Sequence, residues 1–342
     1  MTDLSKKEEE LERQLSVPSD ELINLFKNLE GDIIILGVGG KMGITLAMTA
    51  YRAVEKAGSN SKVIGVSRFS SLGSRERLEK MGISTIACDL LDSSQVSELP
   101  RVKNVIFMVG RKFGTQGSED LTWAINTLVP GNVCRHFSTS RIVAFSTGCV
   151  YPLFSPDSKG CTEETKPAPV GEYAQSSLGR ERIFQFYSRT EDLSICLFRL
   201  NYAIDLRYGV LHDIASCIAE GKPVDLSVPC FNIIWQGDAN NIALLCLAKT
   251  ESPAKILNVT GQTKVNTENA ALKIGKMMNK KVKFKNRNSG KCYLSDASKS
   301  KDMLSSYPYS DEAMIEKQVE WIMSGGSSLG KPTHFEINNG KF

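Results

Sequence analysis

The sequence predicts an α/β fold, a doubly wound parallel sheet with a smaller C-terminal substrate lobe, and three observations carry that expectation. Short β-branched runs recur along the first two thirds of the chain, separated by helix-length segments. The first run leads into clustered glycines and then a helical stretch. After Asn201 the alternation loosens.

The charged stretch Lys6 to Arg13 and the cap-like Pro18-Ser19-Asp20-Glu21 predict a helical extension over residues 1–30. Strands are expected at Ile33 to Leu36, Val63 to Val66, Thr85 to Ala87, Val105 to Val109, Ile142 to Phe145, Ile195 to Leu200 and Ile256 to Val259. These place a dinucleotide-binding body in residues 31–200 plus 232–261, and a substrate lobe and tail in residues 201–231 plus 262–342. The polar tail from Gly325 onward has no readable role.

Composition narrows the function. Lys+Arg 42 against Asp+Glu 38 leaves a net charge of +4, dispersed rather than gathered into a stripe, which argues against nucleic acid as a partner. Nine scattered cysteines without a C-x-x-C pair predict a reduced, cytoplasmic protein. The three histidines (His136, His212 and His334) lie far apart, so no metal site is expected. A charged amino end and the lack of an 18-residue apolar run give no expectation of a signal peptide or a membrane span.

The most informative segment is Gly37-Val38-Gly39-Gly40-Lys41-Met42-Gly43, between the first strand and the helix Ile44 to Ala57. Glycine is needed where backbone turns tightly and approaches a pyrophosphate, while the helix start supplies amides and a positive dipole. This is the Rossmann-type arrangement, with Gly37, Gly39, Gly40, Lys41, Met42 and Gly43 expected at the cofactor. A glycine turn that merely packs a helix on a sheet is the alternative. At the end of the second strand Ser67 and Arg68 stand where an acid would hold the 2′-hydroxyl of NAD; a hydroxyl and a guanidinium suit the 2′-phosphate of NADP, with NAD possible.

With these residues in view, the chain resembles the extended short-chain dehydrogenase/reductases, the NAD-dependent epimerase/dehydratase family, over roughly Gly31 to Trp321. Phe145-Ser146-Thr147-Gly148-Cys149-Val150-Tyr151 resembles that family's S-[ST]-x-x-V-Y-G motif. Pro169-Val170-Gly171-Glu172-Tyr173-Ala174-Gln175-Ser176-Ser177 is similar to its P-x-x-x-Y-x-x-S-K, Arg199-Leu200-Asn201-Tyr202 to its R-x-x-N-x-Y-G, and Leu257-Asn258-Val259-Thr260-Gly261 to its late Y-N-x-G-G. The resemblance implies Tyr173 as general acid or base and Thr147 as partner of the reacting oxygen. It also implies cofactor contacts at Asp89, Leu90, Val109 and Asn201, a substrate neighbour at Cys149, and a homodimer formed through a helix pair.

One position departs from the family: Ser177 stands where a Lys would hold the nicotinamide ribose and lower the Tyr pKa. A cation about 4 Å away at an effective dielectric near 20 is worth about 4 kcal/mol, or roughly three pKa units. Without it the phenol stays protonated near neutrality. Tyr173, Ser177 and Arg180 share a helical face, so Arg180 is a candidate for the absent charge; pairing with acidic neighbours on a solvated face is equally open. A protonated Tyr favours carbonyl reduction, or proton transfer without net redox.

On the substrate side, Phe231 replaces the Arg with which many relatives grip a nucleotide-sugar diphosphate. A smaller sugar, sugar acid or lactone is therefore expected. Arg207 is the candidate carboxylate partner, Tyr208 and His212 are candidate contacts, and Trp235 is a candidate stacking ring, although each suits an ordinary core or surface role. Two further classes stay open: a catalytically degenerate dinucleotide-binding sensor or scaffold, favoured by Ser177, and a lyase or isomerase that uses its cofactor transiently.

Overall fold

The computed structural model describes residues 3–70, 73–112, 114–287, 290–331 and 333–336. Its centre is a seven-stranded sheet of β1 (Ile33–Leu36), β2 (Val63–Ser67), β3 (Ser84–Ala87), β4 (Asn104–Phe107), β5 (Arg141–Thr147), β6 (Ile195–Leu200) and β7 (Lys255–Val259). The order is β7-β6-β5-β4-β1-β2-β3, and every pairing is parallel. The order reverses between β1 and β4, and ligands of such sheets bind at the carboxyl ends of the strands beside that crossover.

Both faces of the sheet are buried, as the unbroken apolar runs require. Alternate residues separate cleanly. Ile33 and Ile35 join a core with α2 (Asp20–Phe26), α3 (Gly43–Ala57) and a later helix over residues 236–245, whereas Ile34 and Leu36 join Val129, Val133 and Phe184 on the other side. That second face is covered by the helix Val129–His136 and by α4 (Glu172–Glu191).

A second core lies in the lobe, among Ile214 of α5 (Val210–Ala219), Phe231, Trp235, Ile274 and Trp321. The amino-terminal extension divides between the two bodies. Leu22 and Phe26 of α2 pack against the sheet, but Leu11 and Leu15 of α1 (Asp3–Leu15) are buried in the lobe core. The i, i+4 spacing of those leucines gives α1 one apolar face, and the lobe is the surface that face covers. The region after Asn201 is also more regular than its sequence suggests, since α5 runs for ten residues. No described helix is long and apolar enough to cross a membrane.

Candidate active site

The glycine turn leaves β1 with Gly37 at φ +88°, a left-handed conformation that favours glycine. A Cβ on Gly39 would stand 2.7 Å from Ser67 Oγ, and one on Gly43 only 2.4 Å from the Val38 carbonyl oxygen. Side chains are thus excluded where the backbone folds tightest. Helix α3 starts at Gly43 with neither a capping side chain nor an acid in its first turn, so its amides and positive dipole are available to an anion. These features fit the paired phosphates of a dinucleotide.

Further along the cofactor edge, Ser67 Oγ accepts from the Phe69 amide at 3.3 Å and Arg68 is exposed. Asp89 is half-buried and Leu90 is buried at the end of β3. Val109 closes on Gly37, its Cγ2 being 3.0 Å from where a Cβ would sit. Asn201 is buried at the end of β6 and donates to the Tyr293 carbonyl at 3.2 Å.

The turn opens into a cleft of about 430 Å³ that reaches Thr147, Cys149, Tyr173, Arg180, Asn201 and Tyr208. Strand β5 delivers Thr147, whose hydroxyl accepts from the Cys149 amide at 3.2 Å. Tyr173 enters from the first turn of α4, after Gly171 at φ +82°. Burial raises the Tyr173 phenol above its ordinary pKa and the nearby Cys149 adds to the rise, while Arg180 and the Thr147 and Ser177 hydroxyls oppose it. The balance leaves a protonated phenol at neutral pH.

Arg180 is buried beneath this site rather than spread on a solvated face. Its Nη1 donates to the Phe145 carbonyl at 2.9 Å and its Nη2 to Asn126 Oδ1 at 2.6 Å. Asn126 also receives the Arg111 amide at 3.0 Å and donates to Ser176 Oγ at 2.9 Å, clamping α4 to the loop after β4. The neighbouring Glu181 pairs with Arg199 instead, at 2.6 Å, and accepts from Ser146 at 2.5 Å.

Two expected substrate contacts are corrected. Arg207 is bound within the protein, to Asp205 at 2.7 Å and to Glu12 of α1 at 2.9 Å, so its charge anchors the amino-terminal helix and does not face the cleft. Trp235 is 1 % exposed and packs edge-on to Tyr309 at 4.9 Å in the lobe core, so its ring stands outside this cleft. His212 is held by the Leu206 carbonyl and Ser328. Tyr208 does line the cleft, and the Lys41 ammonium lies 3.3 Å above its ring.

Other cleft residues were not singled out by sequence: Lys112 after β4, Tyr202, Tyr293, and the tail residues Thr333, His334 and Phe335. Lys112 donates to the Thr333 carbonyl at 3.2 Å, and Phe335 packs 6.3 Å from Phe231. Nothing local marks the tail, whose place depends on Asp213 of α5 receiving the Thr333 amide at 2.7 Å. Among the described residues no group of His, Cys, Asp and Glu is placed to hold a metal.

Comparison with known proteins agrees with the fold. Residues 33–225 match the NAD dependent epimerase/dehydratase family, and the chain belongs to that family of NAD-dependent enzymes. Solved structures with the same fold include the dTDP-glucose 4,6-dehydratase DesIV of Streptomyces venezuelae, with NAD and TYD bound, at 16% identity and a TM-score of 0.72, covering 86% of this chain and 97% of that one. The UDP-glucose 4-epimerase of Thermotoga maritima, with UDP-glucose, gives 16% and 0.70 over 86% and 99%. The UDP-glucuronic acid 4-epimerase of Bacillus cereus, with NAD, gives 17% and 0.68 over the same shares. No curated protein matches the chain by sequence.

Proposed function

We propose that the chain is an NAD(P)-dependent oxidoreductase or epimerase/dehydratase acting on a small sugar-derived substrate, with Tyr173 as acid/base. The observation that carries this reading is the convergence of the glycine turn, Thr147, Tyr173 and the buried Arg180 on one cleft. The turn amides from Gly37 to Gly43 hold the phosphates. Asp89, Leu90, Val109 and Asn201 flank the rest of the cofactor, and Ser67 with the exposed Arg68 favours NADP over NAD.

A bound nicotinamide supplies a hydride acceptor or donor. The chain's own groups handle the proton. Thr147 orients the substrate oxygen, and the protonated Tyr173 donates to that oxygen as it becomes an alkoxide, while Arg180 limits the energetic cost of the phenolate left behind. Ser177, fully buried on the same helical face, contributes a hydroxyl where a lysine's charge would be stronger. This arrangement favours carbonyl reduction, or proton transfer without net redox.

The small-substrate reading is supported by Phe231, which is fully buried between Tyr202 at 6.0 Å and Phe335 and offers no fork to a diphosphate. We also infer a homodimer: Leu128 and Phe186, on the helical segments that cover one face of the sheet, are 61 % and 50 % exposed. Incubating the protein with NADPH or NADH and a panel of sugars, sugar acids and lactones tests the enzyme reading through consumption of reduced nicotinamide and through substrate isomerisation. Turnover that Tyr173→Phe abolishes supports it. Tight cofactor binding with no turnover of any kind favours the second reading, a dinucleotide-binding sensor or scaffold, to which Ser177 points.

A further inference from the structure

The charge lining of the cleft is one-sided. Among its described residues five are permanent or potential cations, Lys41, Lys112, Arg180, Lys331 and His334, and none is a carboxylate. Arg180 is committed to Phe145 and Asn126, but the three lysines converge from separate segments: the glycine turn, the loop after β4 and the C-terminal tail. Two acids stand nearby: Asp213, behind the tail and bonded to the Thr333 amide and hydroxyl, and Glu336, 3.7 Å from His334. Like charges gathered in a recess attract an anion of matching size.

Position shows which part of the cleft they serve. The Lys41 ammonium lies over the Tyr208 ring in the lobe, and that of Lys112 lies 5.7 Å from the centroid of Tyr173. Both therefore face the chemistry end, beyond the turn amides. Tyr293 adds a neutral donor there: it is 4 % exposed, lines the cleft, and its hydroxyl has no hydrogen-bond partner among the described residues. A buried hydroxyl of that kind is costly unless a ligand meets it. Burial, with repulsion from Lys112 and Lys331, lowers the Lys41 pKa to about 7, and Asp213 opposes the shift.

We propose that Lys41, Lys112 and Lys331, with the Tyr293 hydroxyl, form an anion subsite that receives a carboxylate of the substrate, so that within the small-sugar reading the substrate is a sugar acid rather than a neutral sugar or lactone. The proposal rests on that reading for the cofactor and the fold of the cleft. The same donors would also suit the cofactor's own phosphates, and the test separates the two sources.

The experiment is calorimetry on the full chain saturated with NADPH, titrated with six-carbon aldonates and uronates and, in parallel, with the corresponding neutral sugars and lactones. Cofactor affinity is measured separately for wild type, Lys112→Met, Lys331→Met and Tyr293→Phe. We expect at least one acid to bind tenfold or more tighter than its neutral counterpart, that preference to fall tenfold or more in each lysine variant and several-fold in Tyr293→Phe, and cofactor affinity to change less than threefold. If the lysine variants lose cofactor affinity instead, the subsite serves the pyrophosphate and the proposal falls. It falls equally if acids and neutral sugars bind alike, or if no acid binds. Failure of the underlying reading looks different, because then NADPH itself does not bind the wild type.

Discussion

Replacing Glu181 by Gln tests how the catalytic helix is secured. Glu181 of α4 is fully buried, receives Arg199 of β6 at 2.8 and 2.6 Å, and accepts from Ser146 of β5, the residue before Thr147. One carboxylate thus ties the helix carrying Tyr173 to the strand carrying Thr147. Gln keeps the shape but leaves the Arg199 guanidinium, 1 % exposed, without a counter-charge. Breaking one side of a buried pair costs about 3–5 kcal/mol. With unfolding entropy near 2.1 cal/mol/K per residue, the 342-residue chain changes by about 0.7 kcal/mol per degree, so the expected drop in Tm is about 4–7 °C. Differential scanning calorimetry reads it directly. The double variant Glu181→Leu/Arg199→Met removes both charges and should recover most of the loss. A single variant within about 1 °C of wild type would refute the reasoning, since a charge stranded in this core cannot be that cheap.

Three other outcomes are expected. Tyr173→Phe keeps the ring but loses the proton and should lower turnover by about 10²–10⁴-fold with cofactor affinity unchanged, as steady-state rates and NADPH titration will show. If Arg68 reads the 2′-phosphate as proposed, Arg68→Ala should weaken NADPH binding about tenfold or more and leave NADH within about twofold. Burial lifts the Asp238 carboxyl from 3.8 to about 7. The folded chain then holds a proton that the unfolded chain releases between about pH 4 and 7, so stability falls as pH rises through that window. Asp238→Asn removes this dependence and should raise stability above pH 7 by up to about 4 kcal/mol, less what the start of its helix returns to the carboxylate, measured as urea midpoints across pH.

The sheet was legible because each parallel strand is buried on both faces and therefore reads as an apolar, β-branched run, Ile33–Leu36 most clearly. The glycine turn was legible for a steric reason: Gly39 and Gly43 stand where any side chain collides with Ser67 or Val38. What sequence could not supply was long-range pairing. Arg207 looks like a ligand residue until Glu12, 195 positions earlier, is found beside it. Trp235 looks like a stacking ring until Tyr309 covers it. The apolar face of α1 is plain from Leu11 and Leu15, but the pattern does not say whether sheet or lobe receives it. Asn126 and the tail residues Thr333 and Phe335 enter the site through tertiary contacts that leave no local mark.

Titration calorimetry of NADPH and NADH into wild type and Gly43→Ala shows most directly whether the turn from Gly37 to Gly43 grips the phosphates of a nicotinamide dinucleotide. Wild type should bind one-to-one and saturably, and Gly43→Ala, whose new methyl would sit against the Val38 carbonyl, should lose at least a hundredfold with the fold retained by circular dichroism. Absence of binding to wild type by either dinucleotide, or full affinity in a folded Gly43→Ala protein, would contradict it.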